Sequence, residues 1–258
     1  MRTMKQVDHE FQGISGLTDR RLYKLFYSHV HPFPVMVLGL NPGGSPDGHL
    51  FEAADPFYGR YEHDYLMFRS NPAYALAGAM SGFLAQVLKT RQVDVLRQVP
   101  ATNVVFRRSP ASEGAGPAFA RLHGMSMSMR AAFNEGRPVL QDIISTVDPE
   151  IIFLVSATGY GYFQSLCSDL HEGQRIVVPN GKNDSLIYVE ATARIAGLDD
   201  RPRTLIVTGH PSKYARRIEW ATVVERAAVR CKRLGVSPLD RHPLVRTVSH
   251  LPDHGVAV

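Results

Sequence analysis

Apolar positions along the chain fall into two kinds of pattern. Four short runs, at residues 35–40, 102–106, 151–155 and 204–207, are rich in Val, Ile, Leu and Phe and scarcely alternate with polar residues. Continuous apolar runs of this length predict strands covered on both faces, as in a parallel sheet. Between them, apolar residues return at three- and four-residue spacing. Residues 74–89 set Leu76, Met80, Phe83, Leu84, Val87 and Leu88 along one helical face. Residues 130–147 do the same with Ala131, Leu140, Ile143, Ile144 and Val147; Gly136 and Pro138 are expected to interrupt this helix, and Asp148-Pro149 to end it. Residues 214–234 repeat Tyr214, Ile218, Ala221, Val224, Ala228 and Cys231 at helical spacing. Strands alternating with helices predict a three-layer α/β/α sandwich around a four-stranded parallel sheet. Two segments depart from the alternation. Residues 111–128, rich in Gly, Ser, Ala and Met, read as a long loop. Residues 175–191 carry two apolar stretches around Asn180-Gly181 and predict a hairpin. With no repeat and no long linker, a single domain over residues 1–258 is expected.

Composition narrows the class. The chain has 258 residues, of which 44% are hydrophobic and 21% charged, as in a folded globular protein. Two cysteines, Cys167 and Cys231, are too few for a disulfide framework or for a four-cysteine zinc or iron–sulfur site within one chain. Lys and Arg number 29 against 24 Asp and Glu, a net charge of +5 that permits a polyanionic partner without demanding one. The start of the chain has Arg2, Lys5 and Asp8 with no apolar core behind them, unlike a signal peptide. The charge-free stretch at 151–168 is broken by Gly159, Gly161 and Gln164, so no membrane span is expected there. These features suggest a cytoplasmic protein with reduced cysteines. His29-Val30-His31 has no companion ligand pattern, and neither a metal nor a cofactor is expected.

In parallel sheets, ligands sit beyond the carboxyl ends of the strands. The first run ends in Gly39-Leu40-Asn41-Pro42-Gly43-Gly44, a tight turn whose backbone N–H groups can approach a ligand closely. It is neither a Walker loop nor a dinucleotide fingerprint, since the Gly-Lys-Ser/Thr and the glycine spacing are absent. Asn103 lies in the second run, where a lone amide is commonly a satisfied core group. The fourth run leads into Gly209-His210-Pro211-Ser212, followed by Lys213, Tyr214, Arg216 and Arg217. Ser212 is expected to be an N-cap, at a helix start suited to phosphate.

Together these segments resemble the uracil-DNA glycosylase superfamily. Gly39-Leu40-Asn41-Pro42-Gly43 is similar to its first motif, in the asparagine version of mismatch-specific and single-strand-selective members, and Gly209-His210-Pro211-Ser212 is similar to its last. The resemblance covers about residues 33–234. It implies the family's sandwich fold, a DNA substrate and hydrolysis of the N-glycosidic bond of uracil or a related damaged base. It also implies residue roles. Asn41 would position the water and His210 would donate to the base oxygen that gains charge. Asn103 would read the base edge, with Gly39, Leu40 and Gly43 lining the base pocket. Ser212, Lys213, Tyr214 and Arg217 would hold DNA phosphates, and Lys213 and Tyr214 fall where members insert a wedge. The stacking aromatic falls to Phe57, with Phe51 as the alternative. The segment from Gly44 to Ser70 follows no known branch. A monomer is expected. The alternative is a member of the same fold that binds nucleic acid, a nucleobase or a nucleotide without cleaving it. An α/β hydrolase lacks its Gly-x-Ser-x-Gly elbow, since Ser156 has no flanking glycines.

Overall fold

The computed structural model describes residues 3–19, 22–28, 30–42, 75–109, 117–180 and 183–242. The sheet has six strands in the order β2-β1-β3-β6-β5-β4. These are β1 (Val35–Gly39), β2 (Ala101–Asn103), β3 (Ile151–Leu154), β4 (Cys167–Asn180), β5 (Asn183–Ile195) and β6 (Arg203–Thr208). The four apolar runs supply β2, β1, β3 and β6, which are parallel to one another. The expected four-stranded sheet is therefore too small. The hairpin predicted at 175–191 is longer than expected and joins the sheet, β5 lying antiparallel to β6 and β4 to β5. The result is one mixed sheet.

Eight α-helices are described: α1 (Met4–Ser15), α2 (Ala75–Leu88), α3 (Gln92–Gln98), α4 (Pro117–His123), α5 (Met129–Val147), α6 (Ala157–Phe163), α7 (Pro211–Tyr214) and α8 (Glu219–Arg233). From β1 the chain steps outward to β2 and then back past β1 to β3. Both crossovers join parallel strands. Crossovers between parallel strands are right-handed as a rule, which places α2 and α3 on one face and α5 on the other. α8 packs on α2, and α1 packs on α5. Phe83 of α2 meets Phe153 of β3 edge-on at 5.9 Å and Trp220 of α8 at 5.3 Å, which ties the first helical layer to the sheet.

Four expectations require correction. α5 runs unbroken through Gly136 and Pro138. The lack of a side chain at Gly136 admits Phe106, since a Cβ there would lie 2.7 Å from Phe106 Cδ2. Burial of Phe133, Val139, Leu140, Ile143 and Ile144 outweighs the hydrogen bond lost at Pro138. Within the loop expected at 111–128, α4 forms with Pro117 at its start and Phe119 buried. The helix expected over 214–234 is two helices, and the break resets the phase: the buried stripe of α8 is Trp220, Val223, Ala227 and Cys231, while Ile218 is 88% exposed. Finally, β2 is short. Residues 104–106 are buried as their apolarity predicts but lie outside the strand.

Candidate active site

Strand β1 ends at Gly39, in register with Asn103, the last residue of β2. A Cβ at residue 39 would overlap Asn103 Oδ1. Only glycine lets this amide lie over the neighbouring strand. Asn103 is buried, and its Nδ2 donates to the Tyr27 hydroxyl at 2.9 Å. Its Oδ1 accepts no hydrogen bond among the described residues.

Two residues beyond β1, Asn41 is held in place by its amide nitrogen. Nδ2 donates to the carbonyls of Pro42 and Ser109, each at 3.1 Å. The Ser109 N–H in turn donates to the Pro42 carbonyl at 3.1 Å, which ties the turn after β1 to the chain leaving β2. With Nδ2 committed, Oδ1 is the atom left to accept.

The start of α6 closes the floor between these strand ends. Ser156 caps it, its Oγ accepting from Gly159 N at 3.0 Å. A Cβ at Gly159 would stand 3.1 Å from Val104 Cγ2 and 3.6 Å from Leu40 Cα, so the helix abuts both chains.

At the end of β6, Gly209 N donates to the Ile187 carbonyl at 3.0 Å, which anchors the turn to the hairpin. His210 follows. Its Nδ1 lies 2.7 Å from Ser212 Oγ, and its Nε2 has no partner among the described residues. Burial, and then the charge of Lys213, lower its pKa below the ordinary histidine value, which favours the neutral ring. The N-cap of α7 is His210 and not Ser212, because Pro211 occupies the first helical position. Ser212 lies one residue inside the helix and engages the imidazole instead.

The cations beyond His210 frame the crevice. Lys213 and Arg216 are exposed and Arg217 is half-buried. Tyr214, expected on the DNA, is buried instead. A Cβ at Gly209 would meet its ring at 2.7 Å. Lys213 Nζ and Arg217 Cζ stand 5.3 and 5.7 Å from the ring centroid. The ring is a platform that orients two cations, not a side chain free to enter a duplex. Arg217 also donates to the Pro179 carbonyl at 3.3 Å, linking the platform to the hairpin.

Gly39, Leu40, Asn41, Asn103, His210, Ser212, Lys213 and Arg217 thus gather at the carboxyl edge of the parallel strands. Gly43, Phe51 and Phe57 lie outside the described residues, as does His29. Tyr27 is the residue that sequence reasoning missed. It comes from the segment before β1, which runs beside β2: Tyr27 N donates to the Ala101 carbonyl at 3.0 Å, and Ser28 Oγ accepts from Ala101 N at 2.7 Å. Its alternation is too short to predict a strand, so no sequence signal places it at the site. Among the described residues, no group of three or more His, Cys, Asp or Glu is placed to hold a metal, and no helix is long and apolar enough to cross a membrane.

A doubly wound α/β protein with amides and a neutral histidine beyond the carboxyl ends of its strands is the class that fold and site define. The chain belongs to the uracil DNA glycosylase superfamily, whose family model matches residues 30–227. No curated protein matches it.

Proposed function

We propose that the protein is a DNA glycosylase that hydrolyses the N-glycosidic bond of uracil or a related damaged base in DNA. One observation carries this reading. Asn41 Oδ1, Asn103 Oδ1 and His210 Nε2 have no hydrogen-bond partner among the described residues, while the other polar atom of each side chain is engaged. Asn103 is buried and Asn41 and His210 are half-buried, where polar atoms ordinarily find a partner in the protein or in water. Three strand ends that each hold out one unused polar atom suit a ligand with a polar edge. The strands that carry them, β2, β1 and β6, lie within three strand spacings of about 4.8 Å each, a span suited to a flipped nucleotide.

Each residue has a distinct part. The bond from C1′ to the base nitrogen breaks, the base leaves with the electron pair, and water oxygen bonds to C1′. Asn41 Oδ1 accepts from that water and aims it. An amide is too weak a base to deprotonate it, so the cationic character of the departing sugar draws the water in, and its proton passes to solvent. With Ser212 Oγ–H donating to Nδ1, the neutral His210 ring carries its proton on Nε2 and donates to the base oxygen that gains charge. Such a donor contributes about 3 kcal/mol to lowering the barrier. Asn103 meets the base edge. Lys213, Arg216 and Arg217 supply the cationic rim that phosphates require.

The test is base release from single- and double-stranded oligonucleotides that carry uracil, hypoxanthine, or thymine opposite guanine, with abasic sites revealed by hot alkali. The wild type is expected to release at least one of these bases. Asn41→Ala and His210→Ala are each expected to slow release about 10²- to 10³-fold. Tight, salt-sensitive DNA binding without release from any substrate would overturn the enzyme reading in favour of a non-catalytic binder.

A further inference from the structure

We propose that Tyr27 is a positioning residue: its hydroxyl holds the Asn103 amide by one polar atom, and so fixes where the other polar atom meets the base. This inference rests on the glycosylase reading for its consequence in activity, but not for its geometry.

An asparagine amide presents a donor on one side and an acceptor on the other, and the two orientations have nearly the same shape. Packing alone therefore does not choose between them. The Tyr27 hydroxyl can donate or accept, so it holds the amide by one polar atom in either orientation; in the structure that atom is the nitrogen. Nδ2 donates to the Tyr27 oxygen at 2.9 Å. The opposite atom, Oδ1, lies over Gly39 at the carboxyl end of β1, in the space left by the missing side chain. The acceptor is thereby turned to the crevice and calls for an N–H on the ligand.

Tyr27 is itself held firmly. Its backbone N–H is bonded to the Ala101 carbonyl, two residues before Asn103. Ser28 accepts from Ala101 N, and Thr102 Oγ1 donates to the Leu25 carbonyl. Three consecutive residues of β2 are thus reached by the segment 25–28. Lys24 Nζ lies 5.1 Å from the Tyr27 ring centroid and covers one face of the ring. The hydroxyl is delivered to Asn103 by a strap whose register is fixed by backbone bonds. Such support around a recognition group determines whether it is held in its productive orientation.

The experiment compares wild type, Tyr27→Phe, Asn103→Ala and the double variant. Phenylalanine keeps the ring and removes only the hydroxyl. Single-turnover release of the base that the wild type prefers is measured for all four. Tyr27→Phe is expected to slow release about five- to tenfold, the range of one hydrogen bond. In the Asn103→Ala background, removing the hydroxyl is expected to change nothing further, because Tyr27 acts through Asn103. Additive losses would overturn the proposal and assign Tyr27 a merely structural part.

A second reading needs no activity. In the nitrogen–proton NMR spectrum, the side-chain amide of Asn103 is identified by its loss in Asn103→Ala. The Tyr27→Phe variant is expected to shift this pair and speed its exchange with water, while the backbone spectrum of the sheet stays in place. An Asn103 amide pair that does not move overturns the proposal. If the wild type releases no base, the glycosylase reading fails, and the amide measurement still decides the role of Tyr27.

Discussion

The two ends of the parallel strands treat their polar groups in opposite ways. At the amino ends, charged side chains reach oppositely charged ones, although Arg203 Nε itself is buried without a hydrogen-bond partner among the described residues. Arg203, which opens β6 and is only 2% exposed, donates to Asp148 Oδ1 at 2.8 Å and to Asp199 Oδ1 at 2.7 Å. Arg201 bonds the same Asp148, and His242 faces Glu150 across 3.4 Å. Arg230 reaches Thr204 at 3.0 Å and Glu190 at 3.2 Å. At the carboxyl ends, Asn41, Asn103 and His210 are each fixed through one polar atom and leave the other unused. One end uses its polar groups to hold strands and helices together. The other holds each of these side chains by one polar atom and leaves the second without a partner among the described residues. Ligand sites in doubly wound sheets lie at the carboxyl end, and side chains held there by one polar atom leave the other for a ligand in the proposed site.

Breaking the amino end should cost stability and spare chemistry. Arg203→Met removes two hydrogen bonds to carboxylates and one to the Arg201 carbonyl but retains a long apolar stem. Asp148 and Asp199 are about half exposed, so solvent takes up much of their lost interaction. The expected loss is about 2 kcal/mol in urea unfolding. Base release per folded molecule should match wild type. If the variant instead keeps full stability but loses activity, the division between the two ends is wrong.

A smaller and opposite effect is expected at the carboxyl end. Gly39→Ala adds one methyl group where Asn103 Oδ1 lies. The amide must turn away or β1 must move from β2. Overpacking by one carbon costs about 1–3 kcal/mol in a fixed core, but here a side chain can yield, so the stability loss should fall at the low end of that range. The turned amide no longer presents its oxygen to the crevice, and base release should fall about tenfold, for a lost hydrogen bond and a misplaced base. Unfolding and single-turnover measurements on one preparation test both halves. A variant with wild-type activity would show that the amide over Gly39 takes no part.

Sequence revealed the strands that carry the site better than it revealed their surroundings. β1, β3 and β6 emerge within two residues of their ends because they are buried on both faces, and burial leaves an unbroken apolar run. Residues 104–106 carry the same run without being strand, since burial is what apolarity reports and pairing is not. The stripe read from Tyr214 to Cys231 failed because a break at residues 215–218 shifts the helical phase, a tertiary choice that no period records. α1 went unread although Thr3 and Gln6 form a capping box at its start, a signal that was available. Asn41 and His210 could be singled out because they follow apolar runs, and Asn103 because it is a lone amide inside one. Tyr27 could not, because its importance arises from a contact 76 residues along the chain.

The finest contrast lies between two histidines whose pKa values burial lowers, His123 and His210. For His123, burial acts against a bond to the Arg108 carbonyl, and the nearby Arg107 lowers the pKa further. For His210, the second cause is Lys213, which is exposed and removable. Lys213→Ala should therefore move the His210 midpoint upward, toward the ordinary value near 6.5, while His123 stays where it is. Proton NMR of the ring resonances follows both at once. The sign carries over to stability. An unfolded histidine takes up its proton near pH 6.5, whereas these two resist it when folded, so protons favour the unfolded chain. The stability these two neutral rings contribute is present above about pH 6.5 and is lost as pH falls through their lower folded values. Lys213→Ala should soften that acid loss slightly. A His210 that titrates above 7 in the wild type would show that the ring is mostly charged at neutral pH, and would remove the neutral donor on which the proposed chemistry relies.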